Sequence, residues 1–356
     1  LIFLLIKTLL SCYTLLVRTD VMLNKLYEKI KEIIKENYLY ISLYFVLVAV
    51  CFYPLPFYIY NGGGTIDVTD RVEIEDGYAS RGSYNLCYVS ELRATLPSYL
   101  LAKILPSWDI VPMEDLSLNE EETEEDLMIR DRIYLNDANM NAIYLAYQKA
   151  GKEFKVTDVN NYVIYLDTYS KTDLKIGDDI QKVDGKSITN LSDLQAIVQE
   201  KNVGDILTFE VIRDGKTVTC TGEIIQQGDS QLLGVALQTS YVYETDPEIE
   251  LHFSKNEAGP SGGLMLTLAI YDQLVPEDIT KGLKIAGTGT IDSEGNAGPI
   301  GGVKYKLAGA VADGADIFIV PNGENYEEAI QLQQEKNYDI EIIGVDTFEE
   351  ALKSLR

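Results

Sequence analysis

The chain has 356 residues, enough for two domains and an anchor, and 46% of them are hydrophobic, so it can form buried cores. Acidic residues outnumber basic ones 56 to 30, and the formal net charge of −26 argues against a nucleic-acid partner, whose phosphates this surface would repel. Four widely spaced cysteines and a single histidine exclude a disulfide-dense scaffold, a CxxC site and a multi-histidine metal site, so we expect neither a metal nor another cofactor.

Residues 38–60 are predicted to cross a membrane. This segment has no charged side chain, is long enough for a hydrocarbon layer of about 30 Å, and carries tyrosines at both ends. Pro54 and Pro56 are expected to break its helix near the far side. Because lysines precede the segment, residues 1–37 are expected in the cytoplasm and the following domains outside, in a single-pass protein of the cell membrane. The alternative is a buried core helix.

Residues 1–21 begin with leucine and are apolar over most of their length. We expect translation to start at Met22 and residues 1–21 not to be native. The alternative is a second membrane span within residues 1–17, which would make the protein polytopic.

Residues 65–154 are predicted to form an extracellular α/β segment packed on the C-terminal domain. The acidic run 120–126 indicates a solvated loop or a helix start. Residues 127–150 have apolar side chains near helical spacing, and Gly151 is a typical residue for the end of that helix.

Residues 155–226 have the pattern of a small β-rich domain. They contain an alternating strand at 162–166, the L-x-x-G-D-x-I step at 174–180, an amphipathic helix at 192–200 and an Asp-Gly hairpin turn. This order resembles a PDZ domain of the bacterial, protease-associated kind. The resemblance implies that a peptide could add as a strand beside the edge at 162–166, which includes Tyr162, Val163 and Ile164, and beside the helix at 192–200. The alternative is a β-rich domain without a ligand.

The same region contains Gly-Lys-Ser at 185–187, as in a phosphate-binding Walker A loop. Position 180 is isoleucine where that loop requires glycine, so the chain cannot wrap a phosphate there. We therefore predict no nucleotide partner.

A serine in a tight turn precedes an apolar helical run at residues 264–274. Gly259, Pro260, Ser261 and Gly262 form this turn, whose small residues leave room for a substrate backbone. The free amides of a first helical turn can stabilise developing negative charge. The same sequence is also typical of an ordinary loop-to-helix junction.

A second glycine-rich stretch leads into a helix that carries Lys304 and Lys306. These lysines lie about 200° apart around a helix, so they cannot both face one site. Burial of a lysine lowers its pKa and lets its amine accept a proton from a serine hydroxyl. Such a pair would be a Ser-Lys dyad.

Three motifs resemble, in order and spacing, the proteolytic domain of Lon-type serine proteases over residues 232–356. They are Gly-Pro-Ser-Gly-Gly, Thr-Gly-Thr-Ile and Pro-Ile-Gly-Gly-Val-Lys-Tyr-Lys. The resemblance implies that Ser261 is the nucleophile, Lys306 the general base and Thr288 a residue that holds this lysine, while Lys304 points to solvent. One departure is Ala258, where such proteases commonly have an acidic residue; the neighbouring Glu257 is the candidate substitute.

The complete chain is similar to the membrane-anchored, PDZ-containing Lon-type proteases of Gram-positive bacteria. The implied fold class is α+β: a Lon-type proteolytic domain, a PDZ-like β-rich domain and one N-terminal transmembrane helix. The implied function is an ATP-independent extracellular endopeptidase that cleaves peptides or flexible segments of secreted proteins. Two alternatives stay open: His252 as the general base, and a non-catalytic, membrane-anchored peptide-binding or assembly protein.

Overall fold

The computed structural model describes residues 2–119, 121–254 and 256–356, with side chains described from Met22 onward. This part of the chain contains eight α-helices: α1 (Ile2–Phe52), α2 (Leu96–Ala102), α3 (Glu124–Ala150), α4 (Leu191–Gln199), α5 (Gly263–Leu274), α6 (Val303–Ala312), α7 (Glu324–Lys336) and α8 (Phe348–Leu355).

The described residues also form nineteen strands. The first ten are β1 (Phe57–Asp67), β2 (Val72–Ile74), β3 (Ser83–Arg93), β4 (Asp109–Pro112), β5 (Glu153–Leu166), β6 (Lys171–Thr172), β7 (Asp179–Val183), β8 (Lys186–Ser187), β9 (Ile206–Arg213) and β10 (Lys216–Glu223). The other nine are β11 (Ile225–Gln227), β12 (Ser230–Leu232), β13 (Val235–Asp246), β14 (Ile249–Leu251), β15 (Lys284–Gly287), β16 (Thr290–Ile291), β17 (Ala297–Gly298), β18 (Ile317–Pro321) and β19 (Glu341–Val345).

Helix α1 provides the candidate membrane span. Its stretch Met22–Phe52 is long and apolar enough to cross a membrane, and none of its most apolar part is buried, so the alternative of a buried core helix is wrong. Within the stretch that starts at Met22, non-helical dihedral angles at Asn37 separate the charged residues 22–36 from the apolar residues 38–52. The side chains of residues 1–21 lie outside the described part, and the expectations of a start at Met22 or of a second span stay predictions.

The predicted span 38–60 is wrong at its C-terminal end. The helix ends at Phe52, and β1 begins at Phe57. Two prolines interrupt the helix, and the buried Tyr58 and Ile59 then belong to the sheet of the protein body. These last residues are therefore apolar because they pack in the core of the protein body and not because they contact lipid.

A six-stranded sheet joins the N-terminal and C-terminal parts of the protein body, in the order β19-β18-β15-β3-β1-β4. Strands β19, β18, β15 and β3 are parallel, whereas β1 is antiparallel to both of its neighbours. Residues 57–112 therefore share one sheet with the C-terminal third of the chain.

Helix α5 packs on β3 of this sheet, and α3 packs on α5. Helix α3 begins with a capping box between Thr123 and Asp126 and ends at Gly151, which has a left-handed backbone. The acidic side chains of its first turn favour the N-terminal end of the helix dipole. Tyr147 from α3 and Leu268 from α5 lie in the same buried core. The acidic run is thus the start of α3, and the C-terminal half of this helix reaches the core.

A second, seven-stranded sheet has the order β13-β5-β7-β9-β10-β6, with β8 paired to β7. Asp214 and Gly215, both at positive φ, form the predicted hairpin turn between β9 and β10. Helix α4 is capped by Asn190 and covers the core of this sheet. Residues 235–246, predicted within the domain 232–356, form the edge strand β13 of this second sheet.

Candidate active site

Ser261 lies in the turn before α5, and the turn is held on both sides. Gly259 has φ +86°, a conformation that favours glycine, and its amide donates to the Asp131 carbonyl of α3 at 3.0 Å. The Gly263 amide donates to the Pro260 carbonyl at 3.1 Å. A Cβ at Gly262 would lie 3.2 Å from the Leu86 side chain of β3, so a larger residue there would crowd the sheet.

The segment that contains Thr288 holds the backbone of this turn. The Ser261 carbonyl accepts hydrogen bonds from the Gly289 amide at 2.8 Å and from Thr288 Oγ1 at 3.0 Å. The Leu264 amide donates back to the Gly289 carbonyl at 3.1 Å. These reciprocal bonds fix the start of α5 against residues 288–289.

Lys306 approaches the same segment from α6. The helix starts after Gly302, whose left-handed backbone allows β3 to come close: a Cβ there would lie 2.8 Å from the Val89 side chain. Lys306 is only 4% exposed, and its Nζ donates to Thr288 Oγ1 at 3.0 Å. Thr288 therefore connects Lys306 to Ser261 through the Ser261 carbonyl. Within the described residues, Lys306 Nζ and Ser261 Oγ share no direct hydrogen bond.

Burial dominates the electrostatics of this lysine. Loss of solvation lowers the pKa of Lys306 to about 8, and the nearby Cys87 opposes this shift weakly. Burial in turn raises the pKa of the Cys87 thiol to about 12, so Cys87 stays neutral. In the part of the chain described here, no carboxylate forms an ion pair with Lys306. The neutral amine is therefore more abundant at pH 7 than in an exposed lysine.

Lys304 occupies the opposite face of α6. Its side chain is 42% exposed, and its amine pairs with Asp109 of β4, which also accepts a hydrogen bond from Tyr305. It therefore lies at the surface, as the resemblance implied, but in an ion pair rather than free in solvent.

Glu257 and His252 have partners outside the lysine site. Glu257 accepts hydrogen bonds from the Arg71 guanidinium and from the Ser254 amide, so it holds the loop that leads to the turn. The exposed ring of His252 contacts Glu73 at 3.3 Å. These contacts favour neither Glu257 as the third catalytic member nor His252 as the general base.

One group of side chains has the composition of a metal site. Glu73, Glu250 and His252 are the described residues whose ligand atoms lie within 4.8 Å of one another, and all three are exposed. Their exposure is equally typical of a solvated cluster of charges on paired strands.

A cavity of about 1140 Å³ lies away from the lysine site. It separates the N-terminal half of α3 from residues 166–178 of the second sheet, and it contains neither Ser261 nor Lys306. The candidate active site is therefore a surface turn over a buried amine rather than the floor of a deep cavity.

The residues that sequence analysis missed come from the N-terminal half of the body. Arg71 clamps the loop before the serine, Cys87 lies beside the lysine, and Asp131 binds the serine turn through its backbone. None of them belongs to a recognisable motif, because the contact of each is made over a long distance in the sequence.

The predicted peptide edge at Tyr162, Val163 and Ile164 is wrong. These residues lie in β5, which is paired with β13 along its length. On its other side Tyr162 pairs with Asp179, and the Val163 carbonyl accepts a hydrogen bond from Gly177. The protein's own strands therefore occupy both sides of β5, and a peptide cannot add there.

The edge of this sheet nearest to β5 is formed by β13 instead. Among the described residues, β13 has a neighbouring strand only on the β5 side. Leu237 of β13 shares a core with Leu194 and Ile197 of α4, so the helix lies beside this edge. A strand edge next to a helix is the arrangement that β-strand addition requires.

Comparison with known proteins identifies both units. Residues 235–355 match the family model of the Lon protease (S16) C-terminal proteolytic domain, and residues 141–224 match that of the PDZ domain. The fold is therefore α+β, with a peptidase-type domain joined to a PDZ domain, as predicted. The chain carries a proteolytic domain of the Lon type.

Curated relatives agree with this assignment. Lon protease 2 of Borreliella burgdorferi is 28% identical over 214 residues, which are 57% of this chain and 25% of the relative. Lon protease 2 of Bacillus subtilis is 28% identical over 212 residues, 58% of this chain and 34% of the relative. The chain thus spans a quarter to a third of these relatives. A solved PDZ domain of an SdrC-like protein from Listeria monocytogenes is 20% identical, with a TM-score of 0.21, and covers 23% of this chain and 92% of its own.

Proposed function

We propose that the protein is a membrane-tethered, ATP-independent serine endopeptidase whose Ser261 and Lys306 form a catalytic dyad. The observation that carries this proposal is the buried Lys306 amine, unpaired with any described carboxylate and bonded through Thr288 to the backbone of Ser261. A desolvated amine is a competent general base near neutral pH.

The proposed reaction starts when neutral Lys306 Nζ takes the proton of Ser261 Oγ. This step requires the serine side chain to turn toward Nζ, because the two groups share no hydrogen bond among the described residues. The oxygen then attacks the scissile carbonyl, and protonated Lys306 gives its proton to the departing amine. A water molecule, deprotonated by Lys306, hydrolyses the acyl-enzyme and regenerates both groups.

The backbone before α5 supplies candidates for the oxyanion hole. The amides of Ser261 and Gly262 precede the helix and donate to no acceptor among the described residues. Amides at this position stabilise the negative charge of a tetrahedral intermediate. Thr288 holds the lysine, and its role is to position the amine rather than to react.

Two features support an anchored enzyme that works without nucleotide. Helix α1 supplies the candidate anchor, and its lysines favour a cytoplasmic N-terminus with the domains outside. Gly185 lies at positive φ in the turn between β7 and β8, so the Gly-Lys-Ser sequence belongs to a hairpin of the PDZ domain. The proposed substrates are therefore peptides or flexible segments of secreted proteins, positioned along β13 and α4.

Cleavage by the full chain in lipid nanodiscs tests the proposal. Wild type, Ser261→Ala, Lys306→Ala and the control Lys304→Ala are incubated with a peptide library, and products are identified by mass spectrometry. We expect the first two variants to lose activity by about 10³-fold or more and the control to stay within about threefold of wild type. Cleavage by Ser261→Ala at the wild-type rate would refute the dyad. If the wild type retains peptides but yields no products, the non-catalytic binding protein would be favoured. At present that candidate is supported by Ala258 alone.

A further inference from the structure

A patch of apolar side chains lies exposed on the protein body beside the end of α1. We call Leu100, Leu101 and Ile104 the α2 patch; they belong to α2 and the turn after it, and their exposed fractions are 55%, 45% and 75%. Contiguous apolar side chains at the surface mark a site of interaction with a protein or a membrane.

The inner face of α2 explains why these side chains point outward. Ala102 is buried in a small core with Ile59 and Ala94. The Tyr99 ring packs on Phe57, with 5.2 Å between the ring centroids. The helix is therefore fixed by its inner face, and among the described residues the α2 patch is left exposed.

The composition around the patch suits lipid rather than water. Residues 94–108 contain one charged side chain, Lys103, and no carboxylate, although the whole chain has a net charge of −26. The Lys103 amine lies 5.4 Å from the centroid of the Tyr99 ring, and Trp108 follows shortly after. Apolar residues flanked by tyrosine, tryptophan and lysine are typical of the interface between lipid tails and headgroups.

The position of the patch is set by the end of the candidate anchor. Four residues separate Phe52, the last residue of α1, from Phe57, the first residue of β1. In this connection the Leu55 amide donates to the Ala94 carbonyl at 2.8 Å, and α1 contacts α2 directly. A membrane crossed by α1 therefore has its surface next to α2.

We propose that the α2 patch inserts into the lipid interface of the membrane that α1 spans, and so holds the protein body against the bilayer. Lys103 then faces the phosphate groups of the lipid. This inference rests on membrane anchoring by α1, which is part of the proposed function, but it does not depend on catalysis.

Docking would also bring the catalytic helix close to the membrane. Asp109 directly follows Trp108 and accepts hydrogen bonds from Lys304 and Tyr305 of α6, the helix that carries Lys306. The patch and the active-site helix are thus joined through one carboxylate. The substrates that such an enzyme reaches most readily are segments lying at the membrane surface.

The single tryptophan of the chain provides the probe, because Trp108 lines a shallow cavity together with Ile104. The full chain is reconstituted into phosphatidylcholine vesicles with either plain or brominated acyl chains, and tryptophan emission is compared after flotation. We expect emission about twofold lower in brominated lipid, since bromine quenches a ring at the interface. Equal emission in both lipids from protein that floats would overturn the proposal.

Two triple variants make the result specific. Leu100→Gln, Leu101→Gln and Ile104→Gln together are expected to abolish the quenching while the protein still floats. The control combines Val156→Gln, Val203→Gln and Ile206→Gln, which are exposed on the PDZ domain, and it should be quenched like wild type. Equal quenching of both triple variants would contradict the proposal.

Two further outcomes would remove lipid as the partner of the α2 patch. Failure of the wild type to float would remove the anchor, and with it this inference, while leaving the cleavage assay unaffected. The wild type could instead show unquenched emission and form a crosslinked dimer that the patch variant does not form. That result would assign the α2 patch to contact with a second copy of the chain. Loss of peptide cleavage in Ser261→Ala has no bearing on the quenching.

Discussion

Two buried cations in this protein have opposite surroundings. Arg130 of α3 is 6% exposed and pairs with the fully buried carboxylate of Glu122, which also accepts a hydrogen bond from the Leu118 amide. Lys306 of α6 is 4% exposed and has a threonine hydroxyl as its partner. A buried charge with a matched carboxylate keeps its charge and fastens a loop to a helix. A buried amine without one has a lowered pKa and can accept a proton.

Removal of the lysine amine gives the largest expected effect. We expect Lys306→Met to lower kcat/KM by about 10³-fold or more, because no other described group at the site can act as the base. We also expect it to unfold at the same or a higher temperature than wild type at pH 7, since methionine fills the space without a desolvated charge. Peptide cleavage and thermal unfolding of the same samples measure both effects. A fall in Tm with full activity would reverse the assignment.

Removal of the carboxylate that pairs with Arg130 should lower stability and leave activity largely unchanged. Glu122→Gln leaves Arg130 buried without its carboxylate, and the expected loss is about 3 kcal/mol in the free energy of unfolding. Activity well below the unfolding temperature should stay within a few-fold of wild type, because the pair fastens residues 116–122 rather than the site. Denaturant unfolding and cleavage assays test this. An unchanged stability would show that the buried pair contributes nothing.

The exposed Lys304 of α6 is expected to give the smallest change in stability of the three cations. Lys304 and Asp109 are 42% and 43% exposed, and solvent screens such a pair. We expect Lys304→Ala to change the free energy of unfolding by less than about 1 kcal/mol. Denaturant unfolding would measure this, and a loss comparable to that of Glu122→Gln would contradict the distinction between exposed and buried pairs.

The sequence predicts the parts of the site that depend on local turns. Ser261 follows a Gly-Pro turn, and Lys306 and Lys304 follow a double glycine at a spacing that forces them to opposite faces of one helix. Thr288 enters through the family resemblance. The structure has all of these residues at helix starts or strand ends, where backbone conformation is set by the neighbouring residues.

Features that depend on long-range pairing are not accessible in this way. An alternating pattern identifies β5 as a strand but carries no information on its neighbours, so the edge position of β13 is missed. The proximity of Cys87 to Lys306 likewise needs α6 to pack on β3, which is far away in the chain. The end of the membrane span is misplaced because the sheet residues of β1 are as apolar as a lipid-exposed helix.

Lys306 links the stability of the protein to pH. The pKa of Lys306 is about 8 in the folded protein and near 10.5 when unfolded, so between these values the unfolded chain binds more protons. The free energy of unfolding therefore rises with pH between about 8 and 10.5. Below pH 8 the folded protein bears the full destabilisation of a buried, charged amine. The proposed catalysis has the same sign, since only the neutral amine is a base.

The most direct test of the Ser261–Lys306 dyad is the pH dependence of kcat/KM for peptide cleavage by the full chain in nanodiscs. With Lys306 as the base, we expect a rate that rises tenfold per pH unit on the acid side and levels off near pH 8, with the same profile in His252→Ala. A pH profile that His252→Ala abolishes, or a rate independent of pH from 6 to 9, would contradict the dyad.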